Sequence, residues 1–393
     1  MIKRDEKLIE TIVSRGVERI FPHEDFLRSR LSSGEQLRIY LGIDPTGPTL
    51  HLGHMIPLMK LAQLQEAGHK VILLIGDFTA RIGDPDKSQV RKPLSHEEVL
   101  ENAKRYQEQA SIFLRFDGDN PAELRYNSEW LDHMRFADVL SLASQMTVQR
   151  MLDRDMFRRR IDAGNPVYIH EFMYPLMQGY DSVALNVDGE VGGNDQTFNM
   201  LVGRDLLKNQ NPPKEKFIIP MKLLVDGKGE KMGKTTGNML SFLDDANTMF
   251  RKIVSWPDET LLLSFELLTD FDLSEITNRL ASGENPLEIK FDLAHDIVKR
   301  FYGENSAKKA KEVWLHEVRE DALPENIPEI TLLDSFLETL GEASGESKKQ
   351  LKRLLHDGAI KVNGTKIFDE DYILNVGDIV QIGKKRWYKI ITT

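Results

Sequence analysis

The chain has 393 residues, more than a single hydrophobic core usually serves, so we expect two or three domains. Its formal net charge of −10 argues against a surface that binds nucleic acid over its whole extent, and an RNA partner would need local basic patches. Because the chain contains no cysteine, a disulfide framework, a thiolate nucleophile and a zinc site built on sulfur are excluded. The mixed charges of the N-terminus and the short apolar runs predict neither export nor a membrane anchor.

The N-terminal part of the chain alternates between helical and strand-like segments, which is typical of a parallel sheet covered by helices. The predicted elements are helices within 1–38, 95–116 and 136–160, and strands over 39–43, 71–75 and 217–219. The first two strands flank a further helix and form a βαβ unit with it. Ligands collect beyond the carboxyl ends of the strands in such a sheet, so residues from Asp44 onward are candidates for a binding site.

Two more regions follow. Residues 240–325 are helical and charged without a clear strand, and a boundary is expected near Pro324 to Pro328. We therefore predict a sheet-containing domain over 1–230, a helical domain over 231–325, a linker over 326–340 and a small α+β domain over 341–393.

The last segment is basic on an otherwise acidic protein. Residues 346–393 contain ten Lys or Arg and six Asp or Glu. Ser347 and Gln350 have capping-box spacing at the start of a short basic helix, and Asn363-Gly364 predicts a hairpin after it. A helix with several lysines beside a hairpin would contact RNA phosphate and sugar more than base edges, and a protein-interaction module is the alternative.

A second basic cluster lies upstream and is only partly balanced by nearby carboxylates. Its members are Arg150, Arg154, Arg158, Arg159 and Arg160. We interpret it as an exposed helical face, and a solvated helix and a contact with RNA are both open at this point.

The most informative feature is a pair of histidines, His51 and His54, where a predicted strand leads into a helix. The spacing of three places both imidazoles on one helix face. A helix N-terminus offers unpaired N–H groups and a partial positive charge, Gly53 allows close approach, and the imidazoles add donors, so phosphate is the expected ligand. Alone, such a pair is more typical of surface or satisfied core histidines than of a phosphate site.

A second signal lies far downstream, in the glycine-rich and lysine-rich stretch that ends with Lys231-Met232-Gly233-Lys234-Thr235. The stretch nearly matches a phosphate-binding P-loop. However, only three residues separate Gly229 from Gly233, whereas a P-loop needs four for its backbone amides to wrap the phosphates. We therefore exclude a P-loop ATPase.

Together, the two segments resemble the two signatures of class I aminoacyl-tRNA synthetases, a HIGH-type motif at 51–54 and a KMSKS-type loop at 231–235. The whole chain resembles the bacterial tyrosyl-tRNA synthetase family, and its last segment resembles an S4 RNA-binding domain. The resemblance implies an α/β fold: a Rossmann-like parallel-sheet catalytic domain, an α-helical anticodon-side domain and a small α+β S4-like domain.

The resemblance also implies substrates and partners. These are ATP with Mg²⁺, L-tyrosine and tRNA(Tyr), with no prosthetic group and no dedicated metal site. The reaction implied is attack of the tyrosine carboxylate on the ATP α-phosphorus, followed by transfer of tyrosine to the terminal ribose of the tRNA. A homodimer in the cytoplasm is expected, and the lack of cysteine is compatible with a reducing compartment.

Site residues are carried over by motif. Residues expected to act on the phosphates are Thr46, His51, His54, Lys231, Lys234 and Thr235. Residues expected to bind ATP are Gly42, Asp44, Gly53, Gly193, Asp195 and Lys234. Residues expected to bind tyrosine are Tyr40, Asp84, Tyr174, Gln178, Asp181 and Gln196. Residues expected to bind RNA are Lys348, Lys349, Lys352 and Arg353.

Within the tyrosine group, the family pattern gives Tyr40 and Asp181 to the phenol hydroxyl. It gives Asp84, Tyr174 and Gln178 to the ammonium group. The spacings of four and three place Tyr174, Gln178 and Asp181 on one helix face, from which they could line one cavity. Singly, each residue has another explanation, as a turn residue, a helix cap or a core side chain.

Two positions depart from the family pattern: Glu190 stands where many relatives have Gln, and Gly233 replaces the first Ser of KMSKS. Neither departure removes an essential charge. Lys87 and Arg91, in the loop after Asp84, are candidates for binding pyrophosphate.

Two alternatives stay open. A tryptophanyl-tRNA synthetase shares the fold and both signatures, but it typically lacks an S4-like tail and has no need of the Tyr40 and Asp181 pair. A relative that has lost catalysis and only binds RNA is the other, although both motifs here keep their charged residues.

Overall fold

The computed structural model describes residues 2–84, 94–225, 240–319, 327–333, 335–383 and 386–392, with the side chains of 96 and 317–319 left aside. The chain divides into two compact units, Met1–Ala310 and Lys311–Thr393. Among the described residues, each unit contains one five-stranded sheet.

The sheet of the first unit is entirely parallel. Its strands are β1 Arg38–Ile43, β2 Lys70–Ile75, β3 Glu123–Tyr126, β4 Gly189–Gly193 and β5 Phe217–Met221. They lie in the order β3-β2-β1-β4-β5, so the order reverses between β1 and β4. A crevice opens at such a reversal, at the carboxyl ends of the strands. Tyr40 of β1 lies opposite Glu190 of β4 in the register.

The predicted strands at 39–43, 71–75 and 217–219 are confirmed by β1, β2 and β5. These strands are apolar and largely buried, as parallel strands covered on both faces must be. The sequence analysis missed β3, which is short and half polar, and β4, which is three-fifths glycine. Both strands lack the run of β-branched residues that indicates a buried strand in a sequence.

The helices of the first unit cover both faces of the sheet region and continue beyond it. They are Glu6–Ser14, Glu24–Ser32, Leu52–Glu66, Thr79–Ile82, His96–Ala103, Tyr106–Ala110, Ser128–Leu131, Phe136–Ala143, Val148–Leu152, Asp155–Asp162, Ile169–Ala184, Thr197–Lys208, Ala246–Val254, Leu261–Leu268, Leu273–Ala281 and Pro286–Tyr302. Short 3₁₀ turns span Asn194–Gln196 and Asp258–Thr260, and the helix Glu304–Arg319 contains the boundary between the units.

Two glycines allow the helices Ile169–Ala184 and Thr197–Lys208 to pack closely. A Cβ on Gly179 would lie 2.8 Å from Val202 Cγ1 and 3.1 Å from the backbone nitrogen of Gly203. A Cβ on Gly203 would lie 2.5 Å from Ser182 Oγ. Since any side chain there would push the helices apart, the glycines set the distance between two walls of the crevice.

The second unit is built on strands β6 Glu329–Thr331, β7 Ile360–Val362, β8 Thr365–Lys366, β9 Ile379–Ile382 and β10 Arg386–Ile391, in the order β6-β10-β9-β7-β8. Its helices are Phe336–Ser344 and Lys348–His356. The predicted cap is present, because Ser347 Oγ accepts from Gln350 N at 3.3 Å. The predicted hairpin is present too, with positive φ at Asn363 and Gly364, as its two-residue turn requires.

The segment 326–340 differs from the linker that the sequence suggested. It contains β6 and the first half of the helix Phe336–Ser344. Phe336, Leu337 and Leu340 are buried in the core of the second unit. These apolar residues are spaced three and four positions apart, which indicates a helix, and the linker prediction did not take this spacing into account.

His69 provides a test of the core of the first unit by pH. It is wholly buried, its Nδ1 accepts from Leu37 N at 3.3 Å, and burial lowers its pKa to about 4. Between pH 6.5 and 4 the unfolded chain therefore binds a proton that the folded chain does not, and stability falls as pH falls. We expect His69→Asn, which keeps an acceptor near the Nδ1 position and does not titrate, to remove up to about 3 kcal/mol of that decline.

Urea unfolding at several pH values between 7 and 4 measures this difference. The comparison uses the slope of the unfolding free energy against pH, so a constant loss from the smaller Asn side chain does not affect it. Parallel profiles for the two proteins would contradict the assignment.

Candidate active site

A cavity of about 350 Å³ lies where β1 and β4 end, at the reversal of strand order. Every candidate from the ATP, phosphate and tyrosine groups that the structure describes lines it. These residues are Tyr40, Gly42, Asp44, Thr46, His51, Gly53, His54, Asp84, Tyr174, Gln178, Asp181, Gly193, Asp195 and Gln196. Lys231, Lys234, Thr235, Lys87 and Arg91 lie outside the described residues.

The two histidines cap the helix Leu52–Glu66. His51 is the N-cap residue, and its Nδ1 accepts from Gly53 N at 3.1 Å. His54 closes a capping box, because its Nδ1 accepts from His51 N at 3.1 Å. Since each Nδ1 accepts, a neutral ring carries its proton on Nε2. The ring centroids are 4.0 Å apart, so the rings lie together although only His54 is on the helix itself.

Gly53 has a second reason to be glycine besides the predicted approach of a ligand. A Cβ at this position would lie 2.9 Å from Cε1 and 3.1 Å from Nδ1 of His51. The capping ring therefore occupies the space that a side chain would need.

Asp44 is held by two hydroxyl groups. Tyr174 donates to its Oδ2 at 2.7 Å, and Thr79 donates to its Oδ1 at 2.7 Å. A Cβ on Gly76 would lie 2.0 Å from Asp44 Oδ1, so only glycine leaves room for this carboxylate. Burial, then Asp44 and Asp84, raise the pKa of Tyr174 well above its usual value, so the phenol stays protonated and donates. Tyr174 thus joins the predicted tyrosine group to the predicted ATP group.

Asp181 is buried and lines the cavity. Trp130 Nε1 donates to its Oδ1 at 2.8 Å, and Asn127 Nδ2 approaches its Oδ2 at 3.4 Å. Burial raises the pKa of Asp181 well above its usual range, and the two donors act in the opposite direction. Sequence reasoning missed Trp130 and Asn127, which follow the unpredicted strand β3 and lie more than 50 positions from Asp181.

Glu190 forms a buried ion pair with Lys216, a residue that the sequence analysis did not single out. The Lys216 side chain is wholly buried, and its Nζ also donates to Ser182 Oγ at 2.7 Å. Ser182 Oγ in turn lies 3.1 Å from the Tyr40 hydroxyl. Burial lowers the pKa of Lys216, and the charge of Glu190 opposes that effect. The only available signal was a lysine directly before the apolar strand β5.

The basic cluster around residue 155 is not one exposed face. Arg154 is buried and donates to Asp84 Oδ1 at 2.8 Å, and Arg160 is buried against Glu171. Arg158 and Arg159 do point outward, with side chains 64% and 82% exposed. The expectation of a uniform exposed face was wrong because the carboxylate partners lie elsewhere in the chain, where spacing cannot reveal them.

Gly193 and Asp195 form a tight turn after β4. A Cβ on Gly193 would lie 2.4 Å from Asp195 Oδ1 and 3.2 Å from Leu223 Cδ2. The glycine therefore makes room for the Asp195 carboxylate itself. Within the described ranges, no group of three or more His, Asp or Glu side chains could hold a metal ion.

The basic helix of the second unit is partly neutralised. Lys348 pairs with Glu338 at 2.9 Å, Lys352 with Glu370 at 2.5 Å and Arg353 with Asp357 at 3.8 Å. Lys349 is exposed and forms no salt bridge within the part of the chain that the structure describes. No helix among these residues is long and apolar enough to cross a membrane.

A parallel sheet whose strand order reverses at a cleft, with a capped helix N-terminus at its rim, defines a Rossmann-like nucleotide-binding protein. The chain belongs to the family described as tRNA synthetases class I (W and Y), whose sequence model matches residues 32–317. Members of this family use ATP as a substrate, and the chain is accordingly a ligase.

Similar proteins are found over nearly the whole chain. The tyrosine–tRNA ligase of Carboxydothermus hydrogenoformans is 43% identical over 405 residues, covering 97% of each protein. That of Aquifex aeolicus is 41% identical, covering 97% of this chain and 98% of the relative. Among solved structures, the tyrosyl-tRNA synthetase of Archaeoglobus fulgidus complexed with L-tyrosine is 26% identical with a TM-score of 0.62, covering 77% of this chain and 98% of that one.

The Lys216 and Glu190 pair yields a stability prediction. Lys216→Met leaves a buried carboxylate without its cation, and we expect a loss of about 3–5 kcal/mol in unfolding free energy. Adding Glu190→Gln removes the orphaned charge and restores most of that loss. Urea unfolding of the single and double variants measures both effects.

Lys208→Met is the matched control, because Lys208 pairs with Glu215 at the surface and should contribute less than about 1 kcal/mol. If the double variant is no more stable than Lys216→Met alone, the charge of Glu190 is not what makes Lys216 necessary.

Proposed function

We propose that this chain is a tyrosine–tRNA ligase that converts L-tyrosine and ATP to tyrosyl-adenylate and pyrophosphate, and then transfers tyrosine to the 3′-terminal ribose of tRNA(Tyr). The observation that carries the proposal is that one cleft is lined both by an imidazole-capped helix N-terminus and by a buried carboxylate, Asp181. The names of the relatives, at about 40% identity, agree with it.

The first step is an in-line displacement. A carboxylate oxygen of tyrosine attacks the α-phosphorus, and the bond from that phosphorus to the pyrophosphate oxygen breaks. No covalent intermediate with the enzyme is needed. Positioning and charge stabilisation then supply the catalysis, with Thr46, His51 and His54 facing the phosphates and the start of the helix Leu52–Glu66 adding positive potential. Mg²⁺ arrives with ATP and neutralises phosphate charge.

Lys231, Lys234 and Thr235 are proposed to bind the same phosphates. The chain returns to the described residues at Leu240, whose carbonyl accepts from Leu52 N at 3.2 Å. Phe242 N donates to Leu50 O at 3.0 Å, so residues 240–242 are paired with the loop that carries His51. Lys234 lies six residues before Leu240, and six residues span at most about 20 Å. This tether supports a role for the lysines at the phosphates.

Tyrosine is the proposed amino acid because the Asp181 carboxylate can accept a hydrogen bond from a phenol hydroxyl. Phenylalanine has no such donor, so binding it would leave unused one lone-pair site of the buried carboxylate besides those that Trp130 and Asn127 occupy. Tryptophanyl-tRNA synthetase stays the alternative within the same family. We assign the ammonium group of tyrosine to Asp84, Tyr174 and Gln178.

Exposed apolar side chains support a homodimer. Phe136 and Leu140 are 77% and 55% exposed and lie one turn apart on the helix Phe136–Ala143. Ile169 is 84% exposed at the start of a helix whose other residues share a buried cluster with Leu142. Large apolar side chains left this exposed on helices that share one buried cluster are typical of an interface between proteins. A cytoplasmic location is part of the proposal, since tRNA charging belongs to translation.

The second unit is proposed to bind tRNA through Lys348, Lys349, Lys352 and Arg353, and the region 231–325 is proposed to form the anticodon-side domain. The basic helix and its neighbouring hairpin support contact with phosphate and sugar.

Exchange of labelled pyrophosphate into ATP tests the activity. The wild-type protein should catalyse exchange that depends on tyrosine. His51→Asn keeps a cap acceptor for Gly53 N and removes the Nε2 donor, so we expect at least a tenfold lower exchange rate with an unchanged melting temperature and unchanged tyrosine affinity. Absence of tyrosine-dependent exchange in the wild type would contradict the function, and an unaltered rate in the variant would contradict the role of His51.

A charge reversal tests the RNA surface. Lys349→Glu should weaken tRNA binding and reduce the slope of log Kd against log salt by about one, because one phosphate contact is lost. Pyrophosphate exchange should not change. Lys3→Glu, which alters the net charge equally on the first unit, serves as the control, and equal effects of the two substitutions on tRNA binding would contradict the assignment.

A further inference from the structure

A continuous network of hydrogen bonds runs along one wall of the cleft, and Asn199 lies at its centre. At one end Lys216 donates to Glu190, which also accepts from Gln178 Nε2 at 3.2 Å. In the middle Asn199 Nδ2 donates to Gln178 Oε1 at 2.9 Å and to Gln196 Oε1 at 3.0 Å. At the other end Gln196 Nε2 donates to Asp84 Oδ2 at 2.8 Å, and Arg154 donates to Asp84 Oδ1 at 2.8 Å. Asn199 is wholly buried on the helix Thr197–Lys208.

The carboxylates at the two ends of this hydrogen-bond network determine which group donates in each of its bonds. Glu190 and Asp84 are each paired with a buried cation, and an ionised carboxylate only accepts hydrogen bonds. The amide nitrogens of Gln178 and Gln196 must therefore face the carboxylates. Turning either amide round would place two oxygens 3.2 or 2.8 Å apart, which is repulsive.

Both glutamine oxygens consequently point toward Asn199. A side-chain amide nitrogen carries two hydrogens, and Asn199 uses one for each glutamine. Its own Oδ1 is buried without a hydrogen-bond partner among the described residues. Rotating Asn199 would bring this oxygen against the two glutamine oxygens, so the observed orientation is the only one that satisfies both neighbours.

The fixed orientation matters at the cleft, which both glutamines line. Gln178 Oε1 has a second lone pair that can accept a hydrogen bond from a ligand. Arg154 and Gln196 hold the Asp84 carboxylate in place by donating to its two oxygens. Acceptors held in this way suit a ligand group that only donates, and an ammonium group is such a group. Resting on the proposed binding of tyrosine, we propose that Asn199 is a positioning residue for ammonium recognition, acting by orienting the amides of Gln178 and Gln196.

Three ligands separate this role from a merely structural one. Tyrosine and tyramine carry an ammonium group, whereas 3-(4-hydroxyphenyl)propionate carries the same phenol without it. For Asn199→Leu, of similar size and without donors, we expect calorimetric Kd values for tyrosine and tyramine to rise at least about tenfold, and the Kd for the propionate to change less than about twofold. Asn199→Ser, which keeps one hydroxyl donor, should lie between the wild type and the leucine variant.

The outcomes are distinguishable. Equal weakening of all three ligands would overturn the positioning role in favour of a general disturbance of the cleft. Unchanged binding of all three would overturn it outright, and if Asn199→Leu does not fold, the serine variant decides by the same comparison. If the wild-type protein binds no tyrosine, the proposed function itself fails, whatever the variants do.

Discussion

The structure depends on the pairing of β1 with β4, where the strand order reverses and Tyr40 lies opposite Glu190. A reversal opens a crevice at the carboxyl ends of the strands, and the polar side chains that face it are taken out of water. Each must then find a partner inside the protein. Hydroxyl groups donate to the half-buried Asp44, an indole donates to the buried Asp181, and an ammonium group pairs with the buried Glu190. These partners make the three carboxylates tolerable at the crevice.

This requirement explains features that would otherwise be unrelated. Gly203 leaves the space that Ser182 Oγ and the Lys216 ammonium occupy, so the close packing of two helices and the neutralisation of Glu190 have one cause. Buried ion pairs contribute little net stability, because desolvation offsets their attraction. Their effect here is geometric: they fix the orientation of the amides and carboxylates that meet a ligand.

The local parts of this arrangement could be predicted from the sequence. Strands β1 and β2 are continuous apolar runs, the hairpin has its Asn-Gly turn, and the motif at 51–54 lies at a helix start. The fourteen described residues proposed for ATP and tyrosine line one cavity, although their individual roles stay predictions.

The remaining parts could not be predicted because they depend on partners distant in the chain. Lys216 and Arg154 are buried, and Trp130 is half-buried, by tertiary contacts with residues 26 to 70 positions away. Strand β4 consists mostly of glycine and therefore has no side-chain pattern to detect. The arginines around residue 155 looked equivalent in the sequence, and only the positions of Asp84 and Glu171 distinguish the buried ones from the exposed ones.

The central claim is that a buried carboxylate in the lining of this crevice, Asp181, selects the ligand by its hydroxyl group. Calorimetric titration of the full chain with tyrosine, phenylalanine and tryptophan tests it most directly. The account predicts that tyrosine binds best and that phenylalanine binds at least roughly a hundredfold more weakly, because the buried carboxylate then lacks the hydrogen bond from the phenol. Equal affinity for phenylalanine, or tighter binding of tryptophan, would contradict it.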